Sequence, residues 1–109
     1  MYSILINRSA RRLILYKNGS AFKRYTVAVE KPSTPTPAGN FKIINKAINP
    51  GGPFGARWLG LSIRGYGIHG TNNPSSIGKA VSNGCIRLYN NSVIELFNLV
   101  SVGTPVKIV

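Results

Sequence analysis

GIHGTNNPSSIGKAVSNGCIRLYN, running from Gly67 to Asn90, holds the chain's single histidine, His69, and its single cysteine, Cys85. Glycines flank both, at Gly67, Gly70 and Gly84. A free thiol has a pKa near ~8.5 and is mostly protonated at neutral pH, so a cysteine that works as a nucleophile needs a base beside it. One Cys and one His on Gly-flanked turns are the smallest set that meets this need. Taken singly, a lone Cys is commonly a small buried hydrophobe and a lone His is commonly structural. Their meeting in one Gly/Ser/Asn-rich segment makes a site an equal alternative.

Outward from this segment, the composition narrows the chemistry. Fourteen Lys and Arg face only Glu30 and Glu95, with no aspartate, for a formal charge of +12. A Cys-His-Asp triad therefore cannot be built. A glycosidase pair would have to be Glu30 with Glu95, and neither lies in a Gly-rich loop. Catalytic metals require several His, Cys or carboxylate ligands, and the chain has few, so neither metal nor cofactor is expected. Thiol chemistry remains. The positive field attracts polyanions, either nucleic acid or an anionic cell-wall polymer. The basic residues are scattered rather than gathered on one recognition element, so specific nucleic-acid recognition is not expected.

At 109 residues, 43 % of them hydrophobic, the chain is read as one domain, 1–109, and as a monomer. A lone cysteine leaves no internal disulfide. No apolar run is long enough for a membrane span. Met1 to Asn7 lacks a basic region ahead of an apolar core, so no signal peptide is expected.

Along the chain, residues 2–7 and 12–17 read as strands. Asn18-Gly19 suits a type I′ hairpin, whose two central positions both need φ > 0. A third strand is expected over 21–29, with Tyr25, Val27 and Val29 on one face. Three prolines in KPSTPTPAG (31–39) exclude a central strand there, and strands follow over 40–44 and 57–63. Pro74-Ser75-Ser76 opens a single helical turn. Ser92-Val93-Ile94-Glu95 reads as a capping box ahead of a helix that buries Val93, Leu96, Phe97 and Val100, with Gly103 as its C′ residue. A final strand covers 106–109. Many strands and one late helix give a mostly β domain.

IHGTNNPSSIGKAVSNGCIRL resembles the signature of the L,D-transpeptidase (YkuD-type) catalytic domain: a His-Gly, a loop, then Ser/Thr-His-Gly-Cys-hydrophobic-Arg. Here this reads His69-Gly70 and Ser82-Asn83-Gly84-Cys85-Ile86-Arg87, with Asn83 where many members carry a second histidine. RLILYKNG, TPTPAGNFKI and GTPVKI also resemble the family, so the likeness covers nearly the whole chain.

The resemblance implies a β-sandwich of mixed sheets with one late α-helix, and a cleft between a sheet and loops that holds the Cys and His. It implies cross-linking of peptidoglycan peptide stems through an acyl-enzyme on Cys85, with His69 as base and a terminal D-amino acid released outside the cytoplasm, at the cell wall. The alternatives are a hydrolytic cysteine peptidase, acting as an L,D-carboxypeptidase on peptide stems, and a noncatalytic basic module that binds cell-wall polymer or nucleic acid. With no acid to orient His69, a backbone carbonyl near Gly70 or Ser82, or an Asn amide, takes that part. The amides of Asn83, Gly84 and Cys85 are assigned to an oxyanion hole. Gly70, Ser82 and Arg87 support the site, Arg87 by bracing the loop through Ser82 or by holding a substrate carboxylate. Trp58 and Tyr66 are core rings or a cleft wall. Asn72 and Asn73 are weaker substrate-contact candidates.

Overall fold

The computed structural model describes residues 1–34, 36–82 and 84–109. Among the described residues ten strands and one helix form in the order β1 (Tyr2–Asn7), β2 (Arg12–Lys17), β3 (Ser20–Thr26), β4 (Val29–Glu30), β5 (Gly39–Ile48), β6 (Arg57–Leu61), β7 (Gly67–His69), β8 (Ala80–Ser82), β9 (Ile86–Arg87), α1 (Asn90–Leu99) and β10 (Pro105–Ile108). Short 3-10 turns occupy Gly52–Phe54 and Pro74–Ser76.

Period-two alternation sets the first layer. In β1 and β2 the residues Ile4, Ile6, Leu13 and Leu15 are buried, and they pair as Ile4↔Leu15 and Ile6↔Leu13. Asn18 and Gly19 both take positive φ, 52° and 84°, and close the β2–β3 hairpin as the dipeptide predicts. β10 inserts parallel beside β1 and places Val106 and Ile108 in the same layer.

β5 then continues the sheet, in the order β3-β2-β1-β10-β5-β6-β7-β9, while β4 and β8 form a separate parallel pair. The two layers expected of a sandwich are thus halves of one mixed sheet that pass through β5. This strand runs on to Ile48, with a register shift between Ile43 and Asn45. Leu59, Ile68 and Ile86 line up across β6, β7 and β9 and share one core with the first layer and with Val93, Leu96 and Val100 of the helical segment. The expected third strand breaks after Thr26. Ala28 instead exchanges hydrogen bonds of 2.9 and 3.1 Å with Arg87, tying the end of the sheet at β9 to the chain leaving β3. The sheet is held curled around its core by this link.

α1 starts earlier than the capping box suggests. Tyr89 is its N-cap without a side-chain bond, and Ser92 already lies inside the helix. The amide of Val93 reaches the carbonyl of Tyr89 at 3.0 Å, so Ser92 has no orphan amide to serve. Glu95 instead accepts a 2.6 Å hydrogen bond from the Tyr25 hydroxyl and lies 3.6 Å from Lys23. At the other end the C-cap is Val100, and Lys46 on β5 donates to the carbonyls of Phe97 and Val100 at 2.7 and 2.8 Å. A cation from a neighbouring strand satisfies the helix C-terminus. Gly103 (φ 98°) belongs to the following turn, where its amide donates to Ile43.

Candidate active site

Strand register places the chemistry on one face. In the parallel β7–β9 pair Ile68 faces Ile86 and His69 faces Arg87, while Trp58 of β6 pairs with His69 and Gly60 with Gly67. Because side chains alternate, Ile68 and Ile86 enter the core and His69, Arg87 and Trp58 turn to the opposite face. Cys85, two residues before Arg87, sits at the head of β9 on that same side. Gly67 is required here, since a Cβ would lie 2.5 Å from the Trp58 ring.

His69 is buried, at 3 % exposure. Its ring stacks on Trp58 (centroids 5.7 Å apart, planes at 14°) and meets the edge of Phe54 at 5.2 Å. Trp58 is fixed in turn by a 3.0 Å bond from its Nε1 to Asn45 Oδ1. The Nδ1 of His69 lies 2.5 Å from the carbonyl oxygen of Gly70. A carbonyl only accepts, so Nδ1 carries the proton and Nε2 keeps its lone pair. The backbone carbonyl expected to orient the base is therefore that of Gly70. Burial pushes the imidazole pKa down, the Gly70 bond offsets this in part, and the Arg87 charge lowers it further.

Cys85 is half-buried, with Sγ 3.8 Å from the Gly65 carbonyl. Burial raises its pKa, against a lowering by a backbone hydrogen bond from Gly67 and by Arg87. Both shifts favour neutral partners, a thiol beside an uncharged imidazole. The turn carrying the thiol is clamped by Ser82, whose hydroxyl donates to the Cys85 carbonyl at 2.6 Å and accepts from the Gly84 amide at 3.2 Å. Buried Thr36 donates to the Gly84 carbonyl and also reaches Glu30 Oε2 at 3.1 Å.

A cleft of about 320 Å³ lies over this face, lined by Pro53, Phe54, Gly65, His69, Ser82, Cys85 and Arg87. The structure thus gathers His69, Cys85, Ser82 and Arg87 at one opening. Gly84 departs from its expected part, because its amide is engaged by Ser82. The Cys85 amide has no acceptor among the described residues; Asn83, also assigned to the oxyanion hole, lies outside them. Bracing of the loop falls to Ser82, whereas the Arg87 side chain makes no hydrogen bond to another described residue and lines the cleft. Half-buried Trp58 and Tyr66 back the site, Trp58 behind His69 and Tyr66 against Gly84. Asn72 and Asn73 are exposed and outside the cleft lining; Asn73 bonds within its own turn, to Ser75 and Ser76. No local sequence pattern marks Phe54, Thr36, Asn45 or Asn90 as part of the site. Only the Gly/Pro density of NPGGPFG signalled that the Phe54 loop needs a special backbone. Among the described residues no three His, Cys, Asp or Glu come together as metal ligands.

Fold and cleft define a mostly β domain whose cleft is lined by one thiol and one oriented imidazole. The sequence matches the family model of the L,D-transpeptidase catalytic domain over residues 1–108, and the chain belongs to that family. The Bacillus subtilis protein YkuD is 57 % identical over 107 residues, covering 98 % of this chain and 65 % of that protein. The chain thus spans less than two thirds of that relative's length. The NMR structure of the catalytic domain of an Enterococcus faecium L,D-transpeptidase superposes with a TM-score of 0.85 at 29 % identity, over 100 % of this chain and 97 % of that one. The avibactam carbamoyl enzyme of Ldtfm superposes with a TM-score of 0.87 at 30 % identity, over 99 % of this chain and 48 % of that one.

Proposed function

We propose that this domain cross-links peptidoglycan peptide stems outside the cytoplasm, at the cell wall, by acyl transfer through Cys85. The reading is carried by one observation: Cys85 and a tautomer-fixed His69 open into the same cleft. His69 Nε2 takes the thiol proton as sulfur attacks the carbonyl between the L-centre of a diamino acid and a terminal D-amino acid. The Cys85 amide faces the oxyanion. His69 returns the proton to the departing amine, leaving a thioester. The amine of a second stem then attacks, loses a proton to His69, and the proton goes back to sulfur. Arg87, cationic and turned to the cleft, suits a stem carboxylate and also favours the thiolate as it forms.

The test is to incubate the protein with disaccharide-tetrapeptide, with and without an amine acceptor, and to weigh the products. A product carrying the acceptor is expected. Tripeptide alone, in both tubes, would replace transfer by hydrolysis, and unchanged substrate would favour a noncatalytic module. The carbamoyl adduct formed by the related Ldtfm with avibactam shows that a relative takes a covalent acyl-type group; this domain is expected to gain the mass of a carbapenem.

The anionic wall polymer has a second surface to meet. On the outer face of the first layer, register lines up Arg24, Ile14, Leu5, Lys107 and Asn40 in one row, with Arg12 and Lys42 on neighbouring rows. A groove of about 340 Å³ on this face is lined by Tyr16, Phe41, Pro105 and Lys107, among others. The two glutamates lie elsewhere, beside Arg8 and Lys23. The double variant Arg24→Glu/Lys107→Glu should lower retention on purified walls at low salt about tenfold, with the difference vanishing at high salt, while acylation of Cys85 stays unchanged. Equal retention of both proteins would remove this face from the interaction, and preference for DNA over polyol phosphate would reassign it to nucleic acid.

A further inference from the structure

We propose that Asn90 is a positioning residue for His69, acting through the peptide that joins Gly70 to Thr71. Its importance for turnover rests on His69 being the base; its effect on the imidazole does not. Asn90 is the first residue of α1, and its side chain reaches two loops. Oδ1 accepts from the amides of Ala56 at 3.0 Å and Thr71 at 3.2 Å, and Nδ2 donates to the Thr71 carbonyl at 3.1 Å.

The Thr71 amide and the Gly70 carbonyl are two ends of one planar unit. One end donates to Asn90 and the other accepts from His69 Nδ1. Turning that peptide would break both bonds at once. Each bond also polarises the unit in the sense that strengthens the other. The result is a chain from Asn90 through a peptide to imidazole, with a neutral amide where a hydrolase triad places a carboxylate.

Packing makes the position specific. A Cβ on either Gly55 or Gly70 would run into Asn90 Oδ1, so both loops close on this side chain without side chains of their own. The Ala56 bond also holds the loop that brings Phe54 against the His69 ring. The two side-chain carboxylates of the chain lie with other partners: Glu95 accepts from Tyr25, and Glu30 lies 4.0 Å from Arg8.

The experiment compares wild type, Asn90→Ala and Asn90→Asp by the imidazole ¹⁵N shifts of His69 and by carbapenem acylation across pH. Wild type is expected to show a protonated Nδ1 and an unprotonated Nε2 at neutral pH. Asn90→Ala loses all three bonds and should show a tautomer mixture, with acylation slowed about tenfold or more and a shifted acid limb. Asn90→Asp can keep both accepted bonds but sets a carboxylate oxygen against the Thr71 carbonyl where Nδ2 donated, so it should keep the tautomer and lose less rate than Asn90→Ala. A wild-type tautomer and pH profile in folded Asn90→Ala would overturn the proposal. Should Asn90→Ala fail to fold, a tautomer mixture in Asn90→Asp would overturn it alone. If wild type takes no acyl group, the transpeptidase reading fails, and the ¹⁵N shifts still decide the role of Asn90.

Discussion

Cys85→Ala should gain no mass from a carbapenem, and His69→Ala should gain it about 10²–10⁴ times more slowly than wild type at pH 7, the range a positioned general base contributes. The two variants fail for different reasons, and pH separates them. In wild type the thiol is held protonated by burial and the imidazole is held neutral by burial. The reactive arrangement proposed above is this neutral pair, with the proton moving as sulfur attacks.

Because the imidazole pKa is lowered from 6.5, protonation removes the base only below the range of an ordinary histidine, and the wild-type rate should persist to correspondingly lower pH. Without His69 only spontaneously ionised thiol can react. The thiol pKa is raised from 9.0, so the His69→Ala rate should climb about tenfold per pH unit through the neutral range with no plateau. Stopped-flow acylation between about pH 5 and pH 10 reads both profiles. A flat His69→Ala profile would mean that another group takes the proton. A thiolate absorbance difference between wild type and Cys85→Ala at pH 7 would mean that the resting site is an ion pair, and the neutral mechanism would fall.

What sequence makes legible here is what neighbouring residues determine among themselves. Alternation of Ile and Leu in β1 and β2 fixes which face is buried, and Asn18-Gly19 fixes a turn, because both act over a few residues. The Cys–His pair is legible for a chemical reason: a chain with two acids and one histidine has little else to work with. The same scarcity calls for a neutral partner to orient the imidazole, and only the folded structure selects the Gly70 carbonyl over one near Ser82 or an Asn amide. Asn90 does not stand out, since its partners lie 19 and 34 residues away and no local pattern marks an amide that bridges two loops. The capping box misleads because Ser-x-x-Glu satisfies the local rule, while the chain leaving β9 has already begun to coil at Asn90. The place of Gly84 before the cysteine suggests an oxyanion donor; that the Ser82 hydroxyl takes its amide depends on how the turn closes.

Gly84→Ala should combine a large loss of stability with a large loss of activity. Gly84 has φ +120°, a conformation alanine adopts only under strain, and its Cβ would stand 2.6 Å from Tyr66 Cε1. Neither end of the residue can turn away, since the amide donates to Ser82 and the carbonyl accepts from Thr36. Strain and overlap together should cost about 2–4 kcal/mol, which for a domain of this size lowers Tm by roughly 10 °C or more. Any relaxation shifts the adjoining Cys85 amide, and losing one oxyanion donor costs about 10²–10³ in rate. Tyr66→Ala in the same chain separates the two causes. It removes the overlap and leaves the φ, so the double variant should recover about 1 kcal/mol relative to the sum of the singles. Strict additivity would assign the whole cost to the backbone. A Gly84→Ala protein that melts with wild type would show that the turn before the thiol is not held as tightly as Ser82 and Thr36 make it, and the rigid presentation of Cys85 would have to be given up.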